Sequence, residues 1–221
     1  MSINIAIDGP AGAGKSTIAR RAAKELGFIY VDTGALYRTV GVGAMRKNAD
    51  TKSASQVAPL LDEMKIELKF VDGEQVVLLN GEDVRVAIRT PEASMAASDV
   101  SAIPEVRAFL FELQRSIARE NNCIMDGRDI GTVVLPEAQI KIFLTASAEE
   151  RARRRYKELC EKGIESDYET VLKEMIQRDY NDSHRAIAPL KAADDAIIVD
   201  TSDINLEQSI EKLTGIIKER L

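Results

Sequence analysis

Residues 9–17 read Gly9-Pro10-Ala11-Gly12-Ala13-Gly14-Lys15-Ser16-Thr17. The run fits the pattern G-x-x-x-x-G-K-[ST], with two glycines and the Lys-Ser pair at the fixed positions. Residues 3–8 before it read as a short apolar strand, and residues 18–26 after it read as a helix rich in alanine and arginine. A glycine-rich turn between strand and helix points backbone N–H groups inward and sets the helix N-terminus against an anion. The run therefore predicts a P-loop that binds a nucleoside triphosphate.

The end of this loop carries side chains suited to triphosphate chemistry. Lys15 is expected to reach the β- and γ-phosphates, and the Ser16 hydroxyl is the expected protein ligand of Mg²⁺. Strand, loop and helix follow one another in the required order, which an incidental glycine-rich turn does not explain.

Length and composition fit a single α/β domain of a globular enzyme. The chain has 221 residues, of which 45% are apolar and 30% charged, enough to bury a large core. No apolar run approaches the roughly 20 residues that cross a bilayer, so we expect no membrane partner. The first residues run straight into the predicted strand and loop, so we expect no signal peptide. Cys123 and Cys160 lack metal-ligand spacing and suit a reducing cytoplasm. The net charge of −6 argues against a nucleic-acid partner.

The spacing of apolar runs predicts a doubly wound parallel sheet. The runs lie at Ile3–Asp8, Phe28–Asp32, Cys123–Asp126, Ile140–Thr145 and Ala196–Asp200. Most of the intervals between them have helical patterns, which would cover both faces of the sheet. Several runs end in Asp or Thr, at the edge where an open α/β sheet binds its ligand.

Two intervals break this alternation. Between Lys65 and Val86, β-rich segments surround the turn dipeptides Asp72-Gly73 and Asn80-Gly81, which predicts a small antiparallel insertion. Residues 148–166 form a charged helix ending at Gly163, and positions 151–157 hold five positive charges. Both intervals are candidates for parts that move over substrates. Whether the insertion helps the protein close or only stabilises it is left open by the sequence.

Three further segments combine arginine with Asp, Ser or Thr. They read Asp32-Thr33-Gly34-Ala35-Leu36-Tyr37-Arg38, Asp126-Gly127-Arg128-Asp129-Ile130-Gly131-Thr132 and Arg178-Asp179-Tyr180-Asn181-Asp182-Ser183-His184-Arg185. The spacing of Arg178, Asp182 and Arg185 predicts that they share one helix face. Taken singly, such charges could be solvated ion pairs. Several arginines around one crevice of an acidic protein predict an anionic ligand, because a guanidinium holds phosphate oxygens through two N–H bonds.

In this order, five motifs resemble those of the bacterial-type cytidylate kinases. They are GPAGAGKST at 9–17, DTGALYR at 32–38, DGRDIGTVV at 126–134, the arginine run after TASAEE at 145–150, and RDYNDSHRAIAPL at 178–190. The resemblance extends from about Ile3 to about Leu213, and only the P-loop is generic. It implies a P-loop nucleoside monophosphate kinase that transfers the γ-phosphate of ATP to CMP or dCMP with Mg²⁺. It also implies a monomeric, cytoplasmic enzyme.

The resemblance also implies a division of the single domain, residues 1–221, into working parts. An acceptor-binding part would span about 36–105, with the insertion at about 65–86, and a lid would span about 148–166. Residues 9–17 would hold the ATP phosphates, and the lid arginines Arg151, Arg154 and Arg155 would fold over them. The residues expected to act in catalysis are Lys15, Arg128, Arg178 and Arg185.

The acceptor site implied by the resemblance has three groups of residues. Positions around the cytosine and sugar are Thr33, Ser98, Arg107 and Asp129. Positions at the acceptor phosphate are Arg38, Arg128 and Arg185. Positions at the ribose are Arg178 and Asp182, with Arg178 also a candidate to face the transferring group.

This acceptor set suggests how cytosine would be distinguished from uracil. Asp129 can accept a hydrogen bond from the cytosine amino group, while Arg107 and Ser98 can donate to N3 and O2. Uracil has a carbonyl where cytosine has the amino group, so Asp129 would face an oxygen. A site built to pair a substrate group strongly rejects an analogue that leaves the pair unmade.

Three alternatives are weighed against this interpretation. A kinase for shikimate, UMP or AMP is disfavoured because Ser98, Arg107 and Asp129 match cytidylate kinases. A P-loop GTPase or ATP-driven regulator is a different class, and the N-K-x-D guanine-reading tetrapeptide does not occur in the chain. A nucleic-acid-binding regulator is disfavoured by the acidic balance and the lack of tryptophan.

Overall fold

The computed structural model describes residues 2–71 and 74–221. The strands are β1 Asn4–Asp8, β2 Ile29–Asp32, β3 Ile66–Val71, β4 Glu74–Leu79, β5 Glu82–Asp83, β6 Cys123–Gly127, β7 Ile140–Thr145 and β8 Ile197–Asp200. The helices are α1 Lys15–Leu26, α2 Thr33–Arg46, α3 Ala54–Val57, α4 Pro91–Val100, α5 Pro104–Glu120, α6 Ala148–Glu161, α7 Tyr168–His184 and α8 Leu206–Lys218. Shorter helical turns lie at Ala58–Glu63, Ala87–Arg89 and Ile130–Val134. No helix within the described ranges is both long and apolar enough to cross a membrane.

The larger sheet has the strand order β2-β6-β1-β7-β8, and all neighbouring strands run parallel. At its carboxyl edge, Asp8 pairs in register with Gly127, and Asp32 pairs with Asp126. The ends of the three neighbouring strands β1, β6 and β2 therefore meet at one point. Each of the five strands predicted from the sequence is present, with bounds that agree to within one residue.

Helices cover both faces of this sheet. Along β1, Ile5 and Ile7 lie in one apolar cluster with Ile18 of α1 and Leu213 of α8. Ala6, between them, lies in a second cluster with residues of α5 and β6. This alternation across a central strand follows from its pleat and confirms the predicted doubly wound α/β class.

The smaller sheet confirms the predicted antiparallel insertion. Its order is β3-β4-β5, with both pairs antiparallel. Asn80 and Gly81, between β4 and β5, have φ values of 52° and 84°, as a tight primed turn requires. The other predicted turn, Asp72-Gly73, lies outside the described residues. Val77 and Leu79 of the insertion share an apolar cluster with residues of α2 and α4, so the insertion packs on those helices.

Candidate active site

The P-loop leaves the central strand β1 and enters α1. Gly9 has a φ of 146°, and a Cβ there would lie 1.9 Å from the Leu144 carbonyl oxygen, so no other residue fits. Gly14 takes the left-handed conformation, and α1 begins at Lys15, three residues before the predicted start at Ile18. Because the N-cap is a glycine, it has no side chain to satisfy the first-turn N–H groups. Those groups are therefore available to bind an anion.

Lys15 is buried at the start of α1, and its Nζ donates to the Pro10 carbonyl at 2.8 Å. Burial and the positive charge of Arg128 lower the pKa of Lys15 to about 7, despite the nearby carboxylates of Asp126 and Asp8. A phosphate group beside Lys15 would favour the protonated form and raise this pKa. Binding of an anion would therefore keep Lys15 protonated and positively charged.

Ser16 and Asp126 together form the candidate cation site. The Ser16 hydroxyl donates to Asp126 Oδ2 at 2.8 Å, and the Tyr30 hydroxyl donates to Asp126 Oδ1 at 3.2 Å. Burial raises the pKa of Asp126 to about 6, with a further contribution from Asp32. Hydroxyl and carboxylate oxygens are the donors that Mg²⁺ prefers, so these residues fit that ion. Residues 2–71 and 74–221 contain no cluster of three or more His, Cys, Asp or Glu side chains arranged for a metal.

Arginines surround the middle of the site, and one of them is not fully paired. Arg38 pairs with Asp32 at 2.7 Å, and Arg128 Nε donates to Asp182 at 2.8 Å. Arg178 Nε is buried, and no partner for it is found among the described residues. Burial and the nearby Arg128 lower the pKa of Arg178 to about 10. Buried polar groups are normally satisfied, so this guanidinium fits an anionic ligand.

The proposed base-reading residues form a buried charged cluster. Asp129 Oδ2 accepts from the Arg107 guanidinium, and Asp129 Oδ1 accepts from Arg185 at 3.2 Å. Arg107 also donates to the Ser101 carbonyl at 3.3 Å and lies over the Tyr37 ring, 5.7 Å from its centroid. One carboxylate thus holds two arginines in place beside an aromatic wall.

The three residues predicted to share a helical face do so only in part. Arg178 and Asp182 lie on α7, but that helix ends at His184. Arg185 follows in extended backbone, with φ −62° and ψ 142°. Its side chain still reaches the cluster, because it pairs with Asp129.

Thr33 and Ser98 both line the cleft. The buried Thr33 hydroxyl donates to the Asp126 carbonyl at 2.7 Å, so its proton is already used and its oxygen can only accept. Ser98 lies on α4, and its carbonyl accepts from the Ser101 hydroxyl at 2.8 Å.

Arg154 and Arg155 of α6 have carboxylate partners on the same helix. Arg154 donates to Glu150 at 3.0 Å and to the Thr201 carbonyl at 2.7 Å, and Arg155 donates to Glu158 at 2.8 Å. These pairs reduce the mutual repulsion of the five positive charges at 151–157. These pairs are half-buried and open to the cleft, so a ligand phosphate can compete with the glutamates for the arginines.

Arg151 occupies a different place from the one expected. It is buried and donates to the carbonyls of Ala146 at 2.9 Å and Ala11 at 3.1 Å, and to Asp179 at 3.0 Å. Its donors are therefore directed to protein acceptors, one of them in the P-loop. The geometry fits a brace that fixes the P-loop against α7 better than a direct ligand of ATP.

One cleft of about 800 Å³ joins these parts. The predicted site residues that line it are Ala11, Gly12, Gly14, Lys15, Ser16, Thr17, Thr33, Arg38, Ser98, Arg107, Arg128, Asp129, Arg154, Arg155, Arg178, Asp182 and Arg185. Gly9, Pro10, Ala13 and Arg151 lie outside the lining. The cleft thus connects the P-loop at one end with the Arg107–Asp129–Arg185 cluster at the other.

Comparison with known proteins now decides the family. A family model described as Cytidylate kinase matches residues 5–219. This chain belongs to the cytidylate kinase family. The cytidylate kinase of Caldicellulosiruptor saccharolyticus is 53% identical over 211 residues, covering 96% of this chain and 93% of that protein. The cytidylate kinase of Carboxydothermus hydrogenoformans is 53% identical over 215 residues, covering 97% of each. The predicted family and the enzyme class, a nucleoside monophosphate kinase, are confirmed.

A solved structure confirms the fold class of this family member. The crystal structure of shikimate kinase from Bacteroides thetaiotaomicron aligns with a TM-score of 0.50 over 98% of each chain, at 14% identity. At that identity the likeness shows a shared P-loop kinase fold and nothing about the acceptor.

Two buried aspartates of this cytidylate kinase family member were missed by the sequence analysis. Asp126 bonds to Ser16, and Asp8 accepts from the backbone N–H groups of Ile130 at 2.8 Å and Gly131 at 2.7 Å. Asp8 therefore ties the strand before the P-loop to the segment that follows Asp129. The available signal was that both residues end predicted strands.

Burial makes Asp8 a source of pH-dependent stability. Desolvation raises its pKa from 3.8 to about 6, although its two backbone hydrogen bonds act in the opposite direction. The folded protein therefore holds this proton more tightly than the unfolded chain does. Its contribution to the free energy of unfolding should decline as pH rises from about 4 to about 6, by up to about 3 kcal/mol.

Urea unfolding of the wild type and Asp8→Asn, without nucleotide, tests this dependence. Between pH 4 and 6 the wild type should lose stability relative to the variant. A relative gain over that interval would contradict the raised pKa.

Proposed function

We propose that this chain transfers the γ-phosphate of ATP to CMP or dCMP, with Mg²⁺, giving ADP and CDP or dCDP. Membership of the cytidylate kinase family supports this reaction. The observation that carries it is the cleft itself, which holds Lys15 of the P-loop near Arg128 and Arg178. These three cations would meet where two phosphate groups must approach each other.

The donor half of the proposal rests on the P-loop. Its backbone and Lys15 would hold the ATP phosphates, and Arg154 and Arg155 would cover them from α6. Ser16, supported by Asp126, would hold Mg²⁺, which when bound neutralises charge on the phosphate oxygens. Arg151 would keep the loop in place from outside the cleft.

For the acceptor half, the contacts favour a modified division of the arginines. Arg38 and Arg128 remain proposed for the acceptor phosphate. The charge of Arg178 lowers the pKa of Lys15, and the charge of Arg128 lowers the pKa of Arg178, so the three cations lie close together. We therefore propose that Arg178 faces the transferring phosphoryl group. Arg185 pairs with Asp129, so we propose that it serves the base and sugar end.

The base would be read by the buried charged cluster together with Ser98. Each carboxylate oxygen of Asp129 has a second lone pair beyond the one used by an arginine, and one of these can accept from the cytosine amino group. Arg107 and Ser98 would donate to the N3 and O2 acceptors. Asp182, which pairs with Arg128, would face the ribose.

The reaction needs no general base among these residues. A nucleotide phosphate is already ionised, so the acceptor attacks as it is bound. Catalysis then consists of aligning two phosphates and stabilising the charge on the transferring group, which are the tasks of Lys15, Arg128 and Arg178.

Residues 148–166 are proposed to act as a lid. Phosphates beneath α6 would take the place of Glu150 and Glu158 as partners of Arg154 and Arg155, so ATP should hold the helix more rigidly. Hydrogen exchange across 151–163 should slow when ATP or a bisubstrate analogue binds. Exchange across 210–218, the part of α8 that does not line the cleft, should be unchanged and serves as the control. Equal exchange with and without ligand would contradict the lid.

We further propose a monomeric enzyme of the cytoplasm that does not bind nucleic acid. The residues proposed for both substrates come from one chain, and the net charge is −6.

Product analysis tests the proposed reaction. Phosphorus NMR of the protein with ATP, Mg²⁺ and CMP should show ADP and CDP forming in equal amounts. ADP with inorganic phosphate and no CDP would indicate an ATPase and overturn the proposal.

A further inference from the structure

Gln75 of β4 links the insertion sheet to the parallel sheet. Its Oε1 accepts from the Asp32 backbone N–H at 2.8 Å, and its Nε2 donates to the Asp32 carbonyl at 3.4 Å. Asp32 is the last residue of β2, which stands at the edge of the sheet order in the described part of the chain. The amide thus acts like a peptide group of an added strand, since it pairs with both backbone groups of one edge residue.

The side chain of Asp32 extends this link toward the cleft. Its Oδ1 accepts from the Ala35 N–H at 2.9 Å and caps α2, and its Oδ2 accepts from Arg38 at 2.7 Å. Arg38 lines the cleft. Gln75 therefore fixes the backbone of the residue whose carboxylate fixes Arg38.

Apolar packing keeps the insertion and α2 together. Val77 and Leu79 of the insertion share a buried cluster with Leu36 and Val40 of α2. The insertion and the Arg38-bearing helix are thus joined by an apolar contact and by the polar contact of Gln75. A displacement of the insertion would therefore disturb both the apolar contact and the hydrogen bonds of Gln75.

We propose that Gln75 is a positioning residue that couples the insertion sheet to the acceptor phosphate site through Asp32 and Arg38. This inference rests on the proposed function, in which Arg38 binds the phosphate of CMP. It gives the insertion a role in acceptor binding and not only in stability.

Gln75→Met removes both hydrogen bonds while keeping an unbranched side chain of similar length. The KM for CMP should rise about fivefold, the effect of losing one net hydrogen bond, while kcat and the KM for ATP stay within about twofold. The matched control is Gln139→Met, because Gln139 Oε1 accepts from the Asn4 N–H at 2.7 Å at the start of β1. Both KM values of the control should be unchanged. Gln75→Ala, expected to act in the same direction, serves if the Met variant does not fold.

A double-mutant cycle tests the route through Arg38. In an Arg38→Met background, Gln75→Met should change the KM for CMP by less than about twofold, because the residue it positions is gone. The same fivefold rise in that background would overturn the coupling. So would a lowered melting temperature with an unchanged KM for CMP, which would make Gln75 a passive stabiliser. A wild type that forms no CDP would instead refute the proposed function before any variant is made.

Discussion

The Lys15→Met variant is expected to lose about 10³-fold or more in kcat and yet to fold as stably as the wild type. The lost charge acts on the transferring phosphoryl group, where one preorganised cation has effects of this size. The fold should tolerate the change because Lys15 is buried with its pKa lowered to about 7. A lysine whose pKa is lower in the folded protein than in the unfolded chain destabilises the fold as pH falls below its unfolded pKa, here 10.5, and does so fully below its folded pKa, here about 7. Steady-state kinetics and thermal melting at pH 7 measure both effects.

Lys47→Met is the control for this variant. Lys47 forms an exposed pair with Glu63 at 2.8 Å, outside the cleft, so its kinetics should match the wild type. If Lys15→Met melts normally and its kcat lies within a few-fold of the wild type, the proposed catalytic role of the P-loop lysine is wrong.

The second large effect concerns the choice of base. In Asp129→Asn, one acceptor oxygen becomes an amide donor that faces a guanidinium, and the pairing with the cytosine amino group is weakened. Losing a charged hydrogen bond in a buried site corresponds to about 10- to 150-fold in kcat/KM for CMP. UMP, whose carbonyl would no longer face a carboxylate, should lose much less. The CMP:UMP ratio of kcat/KM should therefore fall at least about tenfold.

Asp182→Asn is the matched control for base reading. Asp182 is also buried and paired with an arginine, Arg128, but is proposed to face the sugar. Its kcat/KM values for CMP and UMP should fall in parallel. If Asp129→Asn behaves in the same way, Asp129 only positions Arg107 and Arg185, and specificity must be sought at Arg107 and Ser98.

The features that could be predicted from the sequence are those fixed by neighbours along the chain. The P-loop pattern needs only eight consecutive residues, Gly9 to Ser16. Each strand of the parallel sheet is a mostly apolar run, and most of the intervals between these runs have helical patterns. Even so, α1 begins at Lys15 and not at Ile18, because the helix starts directly after the left-handed Gly14. The end of α7 also differs from the prediction, because the helix ends one residue before Arg185.

Contacts between distant segments could not be predicted in this way. Arg151 belongs to the arginine run at 151–157, and only folding reveals that its partners are Asp179 and the Ala11 carbonyl. The link between Gln75 and Asp32 likewise joins residues of two different sheets. Charge clusters identify a site that attracts anions, but the fold decides which arginines remain available for them.

Whether the acceptor is a cytidine monophosphate can be measured with kcat/KM values for five acceptors under one set of conditions. ADP formation would be followed with CMP, dCMP, UMP, AMP and shikimate, each with ATP and Mg²⁺. CMP or dCMP should give the highest value, and UMP should be lower by at least about tenfold because it cannot donate to Asp129. A higher value for UMP, AMP or shikimate than for both cytidine nucleotides would show that the protein is not a cytidylate kinase.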